Sequence, residues 1–174
     1  AMMIVGRMIN RVDPRLLLAA GLLITAAVLW EMTGFTPNVS QWTLIRTGVL
    51  QGMGLGFMFV PLSTITFATL PGHLRTQGTA LYSLMRNIGS SIGISLVIFL
   101  LTRNTQLVHA ELAGQVTPFN DALALSGPAQ FWNMATTAGR AALNAEVTKQ
   151  AAIIAYANDF KLMMLVALLA LPLI

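Results

Sequence analysis

Residues Gly78–Thr102 read GTALYSLMRNIGSSIGISLVIFLLT, an apolar stretch broken by one charge, Arg86. Crossing a bilayer takes about 20 mostly apolar residues in a helix, because the oily core is about 30 Å thick and each residue rises about 1.5 Å. This stretch has that length. An intramembrane arginine costs at least about 2.5 kcal/mol on insertion scales, so it needs a partner, a cavity or a route to the headgroups. Gly89, Ser90 and Gly93 follow Arg86 at three, four and seven residues, on the same face of a helix. Gly89 and Gly93 form a G-x-x-x-G pair that lets two helices approach closely. Two readings of Arg86 stand: it lines a polar path through the bundle, or it snorkels to the headgroups.

Similar blocks lie on either side. The apolar ends 1–9 and 159–174 read as the remnant of one helix and a truncated last one, so both ends look cut. Between them lie the segments 16–32, 43–68 and 78–102. The connections are 10–15, 33–42, 69–77 and a long polar stretch, 103–158. Composition agrees: 56% of residues are hydrophobic, 9% are charged and the mean hydropathy is +0.73. A soluble domain carries about a quarter charged residues. The expected fold class is therefore all-α, a polytopic membrane protein.

The net charge of +4 could point to nucleic acid, but the arginines sit mostly between apolar blocks, where orientation signals belong. The loop Gly6–Arg15, GRMINRVDPR, carries Arg7, Arg11 and Arg15. The loop 33–42 has no basic residue and is flanked by Trp30 and Trp42. Leu70–Gln77 carries Arg75. Alternation of basic and bare loops places the first and third in the cytoplasm. The 103–158 stretch then lies outside and the chain end inside. Asp13-Pro14 fits a helix start, since Asp caps and Pro suits the first turn. In 103–158, short helical pieces are expected at 105–113 and 119–125, broken by Pro118 and Ser126-Gly127-Pro128. A longer helix over 138–157 is expected to run nearly straight into the last segment.

The segment 43–68 carries Arg46, Gln51, the run Gly52, Gly54, Gly56, and Pro61. Proline frees backbone carbonyls and bends a helix. The run reads either as a cavity-facing helix that moves or as close packing on a neighbour. Gln51, Phe57, Met58, Phe59 and Tyr82, with Arg86, are candidates for a greasy substrate cavity; taken alone, the first five read more readily as ordinary packing residues. Arg46 is expected to snorkel at the outer end. Cysteine is absent, and His73 and His109 have no clustered partner, so no metal site is expected. No catalytic motif is present: no Ser/His/Asp set, no H-E-x-x-H, no P-loop. An enzyme is not expected.

The motifs then carry a resemblance. Gly6-Arg7-Met8-Ile9-Asn10-Arg11-Val12-Asp13-Pro14-Arg15 resembles a cytoplasmic loop motif of the form G-x-x-x-D-R-x-G-x-R, with Asn10 and Asp13 as departures. Gln51-Gly52-Met53-Gly54-Leu55-Gly56-Phe57 with Val60-Pro61-Leu62 resembles a QGxGxGF…PL helix. Leu70-Pro71, Gly78-Thr79-Ala80 and Met85-Arg86-Asn87-Ile88-Gly89-Ser90-Ser91-Ile92-Gly93 resemble an LP…GTA…RNxGGSxG run. Together these resemble the EmrB/QacA-type drug:proton antiporters, the fourteen-helix branch of the major facilitator superfamily, in their C-terminal part. The resemblance implies proton-driven export of small apolar or cationic compounds by alternating access, without a cofactor, in the inner membrane. It implies that the remnant first helix and the 43–68 and 78–102 helices face a central cavity, and that 16–32 and the last helix are peripheral. The loop residues Gly6, Arg7, Asn10, Arg11 and Arg15 would form a cytoplasmic gate. Gly52, Gly54, Gly56, Pro61, Gly89 and Gly93 would serve packing or hinge motion. The 103–158 stretch would be the candidate contact for a periplasmic adaptor and outer-membrane channel. A carrier of another solute, such as a metabolite or siderophore, is the alternative. A non-transporting membrane subunit or membrane enzyme is the third reading.

Overall fold

The computed structural model describes residues 5–7, 12–116 and 132–174. Every long element among them is helical: α1 (Pro14–Met32), α2 (Gln41–Ala68), α3 (Arg75–Gln115) and α4 (Thr137–Ala170), with no strand among the described residues. A short 3-10 turn, Gly72–Leu74, leads into α3, and another, Leu171–Leu173, follows α4. All four helices are long and apolar enough to cross a membrane. By contact the chain divides into two compact units, Ala1–Ser95 with Phe160–Ile174, and Leu96–Asp159.

The first unit is organised by the α1–α2 hairpin. Asp13 caps α1, its carboxylate accepting the Arg15 backbone N–H at 2.9 Å, and Pro14 opens the first turn. Ser40 caps α2 by accepting the Trp42 N–H at 3.3 Å. Glu31 near the end of α1 forms an ion pair with Arg46 in the second turn of α2. Arg46 therefore does more than snorkel: the hairpin brings an acid within its reach. Trp30 and Trp42 beside this turn are both largely exposed.

α1 buries one stripe, Leu17, Leu18, Gly21, Leu22, Thr25, Ala26, Val28 and Leu29. The spacing of three and four is that of a helix face. The two helices touch closely where Gly21 meets Gly54. A Cβ on Gly21 would sit 2.9 Å from the Gly54 carbonyl oxygen. One on Gly54 would sit 2.6 Å from Thr25 Oγ1. Two glycines at the crossing let the backbones approach as no larger pair could. Pro61 is fully buried, and α2 continues through it to Ala68. Beyond it, the hydroxyls of Ser63 and Thr64 donate to the Val60 carbonyl at 2.9 and 3.0 Å, so these polar side chains cost little in an apolar setting.

In the second unit, the end of α3 and the start of α4 face each other. His109 Nε2 lies 3.1 Å from Asn144 Oδ1. α4 buries Gly139, Leu143, Ala151, Ala155 and Asp159, positions separated by multiples of four. Its start is held by the Thr136 hydroxyl, which accepts the Gly139 N–H at 3.0 Å.

One boundary differs from those expected. The piece at 105–113 is the continuation of α3, whose 41 residues reach about 60 Å at 1.5 Å each. Nothing from Thr102 to Ala113 breaks a helix: the glycine comes at Gly114, and Arg, Gln, Leu and Glu are good helix formers. Hydropathy marks where lipid contact ends, and a helix has no reason to end there. The helix expected over 138–157 does run straight into the last segment: α4 begins at Thr137 and continues without a break past Asn158 and Asp159. The expected piece at 119–125, with Pro118 and Ser126-Gly127-Pro128, lies outside the described residues. So do Asn10 and Arg11 of the gate loop and most of the remnant first helix. Residues 5–7 are helical, with Val5 fully buried and Gly6 and Arg7 exposed. Arg15, in the first turn of α1, is exposed as well.

Candidate functional site

A helix turns about 100° per residue, so α2 presents two different faces over its glycine run. Thr47, Gln51, Gly54, Met58 and Pro61, spaced by three and four, share one face. Gly54 and Met58 on it meet α1: the Thr25 hydroxyl donates to Met58 Sδ at 3.6 Å. A Cβ on Gly21 would also reach the Met58 side chain and the Phe57 backbone, each at 2.9 Å. Gly52, Gly56, Phe59, Val60, Ser63 and Phe67 occupy the opposite face. There α3 approaches. The Tyr82 ring stands edge-on to Phe67, centroids 5.6 Å apart and planes at 69°. The Arg86 guanidinium lies over the Phe59 ring, 6.0 Å from its centroid.

Between them is a cleft of about 420 Å³ lined by Phe59, Val60, Ser63, Tyr82 and Arg86. A cation over an aromatic face is held by the ring's quadrupole, roughly 0.5–1 kcal/mol when exposed and about 2 kcal/mol or more when desolvated. Among the described residues the ion pairs are Arg46–Glu31 and Lys149–Glu146, and neither involves Arg86. Among the described residues no carboxylate pairs with its charge, which lies at an aromatic-lined cleft. The cleft offers one cation, two aromatic rings and the Ser63 hydroxyl, which is already engaged with the Val60 carbonyl. That set can hold a flat or apolar group and attract negative charge.

The six expected cavity residues therefore separate. Phe59, Tyr82 and Arg86 come together in the cleft. Met58 is on the α1 face. Phe57 is half-buried on the α1 side. Gln51 is half-buried on the α1 face too, and its Oε1 is buried without a hydrogen-bond partner. The glycines separate in the same way. Gly54 is a contact glycine, whereas Gly52 has open space where a side chain would start. Gly56 is buried. On α3, Gly89 and Gly93 both face open space within the described chain. Sequence reasoning missed Gly21, which lies in an unbroken apolar run. Its signal was Gly21-x-x-x-Thr25, a pair of small residues one turn apart. It also missed the Glu31–Arg46 pair and Val60 and Ser63 in the cleft.

Among the described residues no group of His, Asp or Glu side chains is placed to hold a metal ion.

Comparison with known proteins places these helices. The chain is 27% identical over 118 residues to the multidrug export protein EmrB of Haemophilus influenzae; the match covers 67% of this chain and 23% of that protein. It is 30% identical over 118 residues to the probable multidrug resistance protein EmrY of Escherichia coli, with the same two shares. It is 30% identical over 120 residues to the fatty acid resistance protein FarB of Neisseria gonorrhoeae, covering 69% of this chain and 24% of FarB. The chain thus spans about a quarter of the length of the relatives it matches. No solved structure matches it. The family profile of the Major Facilitator Superfamily matches residues 1–110, which take in α1, α2, the Arg86 cleft and most of α3, and this all-α, multi-pass membrane chain belongs to that superfamily.

Proposed function

We propose that the chain is part of a multidrug efflux transporter of the inner membrane, driven by the proton gradient and working by alternating access without a bound cofactor. The observation that carries this is the Arg86 cleft: an exposed cation, without a carboxylate partner among the described residues, set with two aromatic rings between two membrane helices. Arginine at membrane depth is costly and marks a passage more readily than a packing site. The similarity to proteins named for multidrug export supports the same reading.

In this reading Phe59, Tyr82 and Arg86 contact the passing compound. Attraction for a cationic compound must come from outside the described residues, because the charge in this cleft is positive. Gly54 and Pro61 hold α2 against α1, so the pair moves as one body when access alternates. The Gly6–Arg15 loop is cytoplasmic and closes the inner side through Gly6, Arg7, Asn10, Arg11 and Arg15. The open face at Gly89 and Gly93 receives another helix. The 103–158 stretch lies outside, where it is the candidate contact for an adaptor and an outer-membrane channel, and the C-terminus is cytoplasmic.

The test is transport by the full-length protein in proteoliposomes, with a panel of dyes and metabolites. Efflux of several unrelated dyes that stops when the proton gradient is collapsed is the expected result. Uptake of one metabolite with no dye movement would replace this reading with that of a single-solute carrier.

A further inference from the structure

Away from the Arg86 cleft, the second unit encloses a carboxyl group that the transport reading does not use. Asp159 on α4 is 4% exposed, an ionisable side chain that is almost fully buried. The Asn104 side chain of α3 hydrogen-bonds its carboxyl group across the seam. The other oxygen, Oδ2, is buried and meets no donor. Ala155 and Ala151, one and two turns back on the same face of α4, are completely buried. Opposite, α3 turns in a half-buried stripe at Leu101, Asn104, Thr105 and Val108. The Thr105 hydroxyl is occupied by the Leu101 carbonyl at 2.8 Å.

A buried carboxylate with one oxygen unsatisfied is expensive, and a neutral carboxylic acid in the same place is far less so. The shut seam therefore favours the protonated side chain, and water reaching an open seam favours the ionised one. We propose that Asp159 is a proton-binding site that latches the α3–α4 seam of the Leu96–Asp159 unit, shut when Oδ2 carries a proton and loosened when that proton passes to water. Linkage gives the sign: opening releases a proton, so raising the pH drives opening.

The surrounding charges do not replace Asp159 in this role. From α3, Asn104 faces it and does not titrate, while its neighbour Arg103 is exposed. On α4, Tyr156 and Lys161 are exposed. Glu146 is engaged by Lys149 and Gln150 more than two turns away, and His109 sits farther along the seam on Asn144. The latch does not depend on what the full-length protein carries.

Hydrogen exchange of the full-length protein in lipid nanodiscs tests it, read over 96–115 and 137–159 and divided by the intrinsic rate at each pH. In the wild type, corrected exchange should be faster at pH 8 than at pH 5.5. In Asp159→Asn, which cannot ionise, the corrected rates at the two pH values should agree. Asp159→Leu, apolar and of similar bulk, carries the same expectation if the asparagine variant does not fold. A wild type with no pH dependence overturns the latch by itself, and so does a neutral variant that keeps the wild-type dependence.

Discussion

The Phe59 ring of α2 lies under the Arg86 guanidinium of α3, 6.0 Å from centroid to carbon, while Met58, the next residue back, reaches the opposite way to the Thr25 hydroxyl. One step along a helix is about 100°, and that step separates a residue of the cleft from a residue of the α1 contact. α2 thus joins a tight hairpin on one side to a charged, aromatic cleft on the other.

The hairpin contact makes the glycines unequal. Gly54→Val should destabilise the protein by about 1–3 kcal/mol, the usual cost of overpacking, since its Cβ would meet Thr25 Oγ1 at 2.6 Å. Gly52→Val should lower the melting temperature much less, because no atom lies within 4 Å of a Cβ there. Thermal unfolding in detergent compares them directly. Equal losses would mean that the α1–α2 crossing is not where these helices meet.

The outer ion pair should contribute modestly. Side-chain exposures of 56% for Arg46 and 31% for Glu31 leave it well solvated, so a double-mutant cycle with Glu31→Gln and Arg46→Gln should give roughly 0.2–1 kcal/mol of coupling. The coupling should shrink in high salt. Zero coupling at low salt would show that the two side chains do not pair in solution.

Orientation is testable because the chain has no cysteine. A single cysteine at Gly34 should react with a membrane-impermeant maleimide added outside intact cells, and one at His73 should not. The reverse pattern would invert the topology drawn from the basic loops.

Removing the ring beneath the guanidinium should weaken the cleft without emptying it. Phe59→Leu keeps an apolar side chain and removes a cation–π contact of roughly 0.5–2 kcal/mol. Half-maximal substrate concentrations should rise by about two- to thirtyfold, measured by transport titration. Unchanged values would detach Phe59 from the path.

Much of this was legible in the residues, for identifiable reasons. Apolar length gave the helices, because only an internally bonded helix carries backbone polar groups through lipid. Arg86 and Tyr82 were legible as site candidates because charge and aromatic polarity stand out at membrane depth. The two faces of α2 were not. Gln51, Phe57, Met58 and Phe59 have similar chemistry, and which of them meets α1 depends on the rotation of α2, which Gly21 on the partner helix helps to set. The reach of α3 past Thr102 was hidden for another reason. The helix outlasts its apolar stretch, and Arg103–Ala113 has the composition of either a helix or a polar loop. The Glu31–Arg46 pair depends on the tightness of the turn between them.

The most direct measurement is proton-gradient-driven dye efflux by the full-length protein in proteoliposomes, comparing Arg86→Ala with Met58→Ala at equal reconstituted amounts. Efflux should fall about tenfold or more for Arg86→Ala, at least the roughly 1.4 kcal/mol that a factor of ten represents, and stay within about twofold of wild type for Met58→Ala. Undiminished efflux with Arg86→Ala, or an equal loss in both, would contradict the assignment of the passage to the Phe59–Tyr82–Arg86 face.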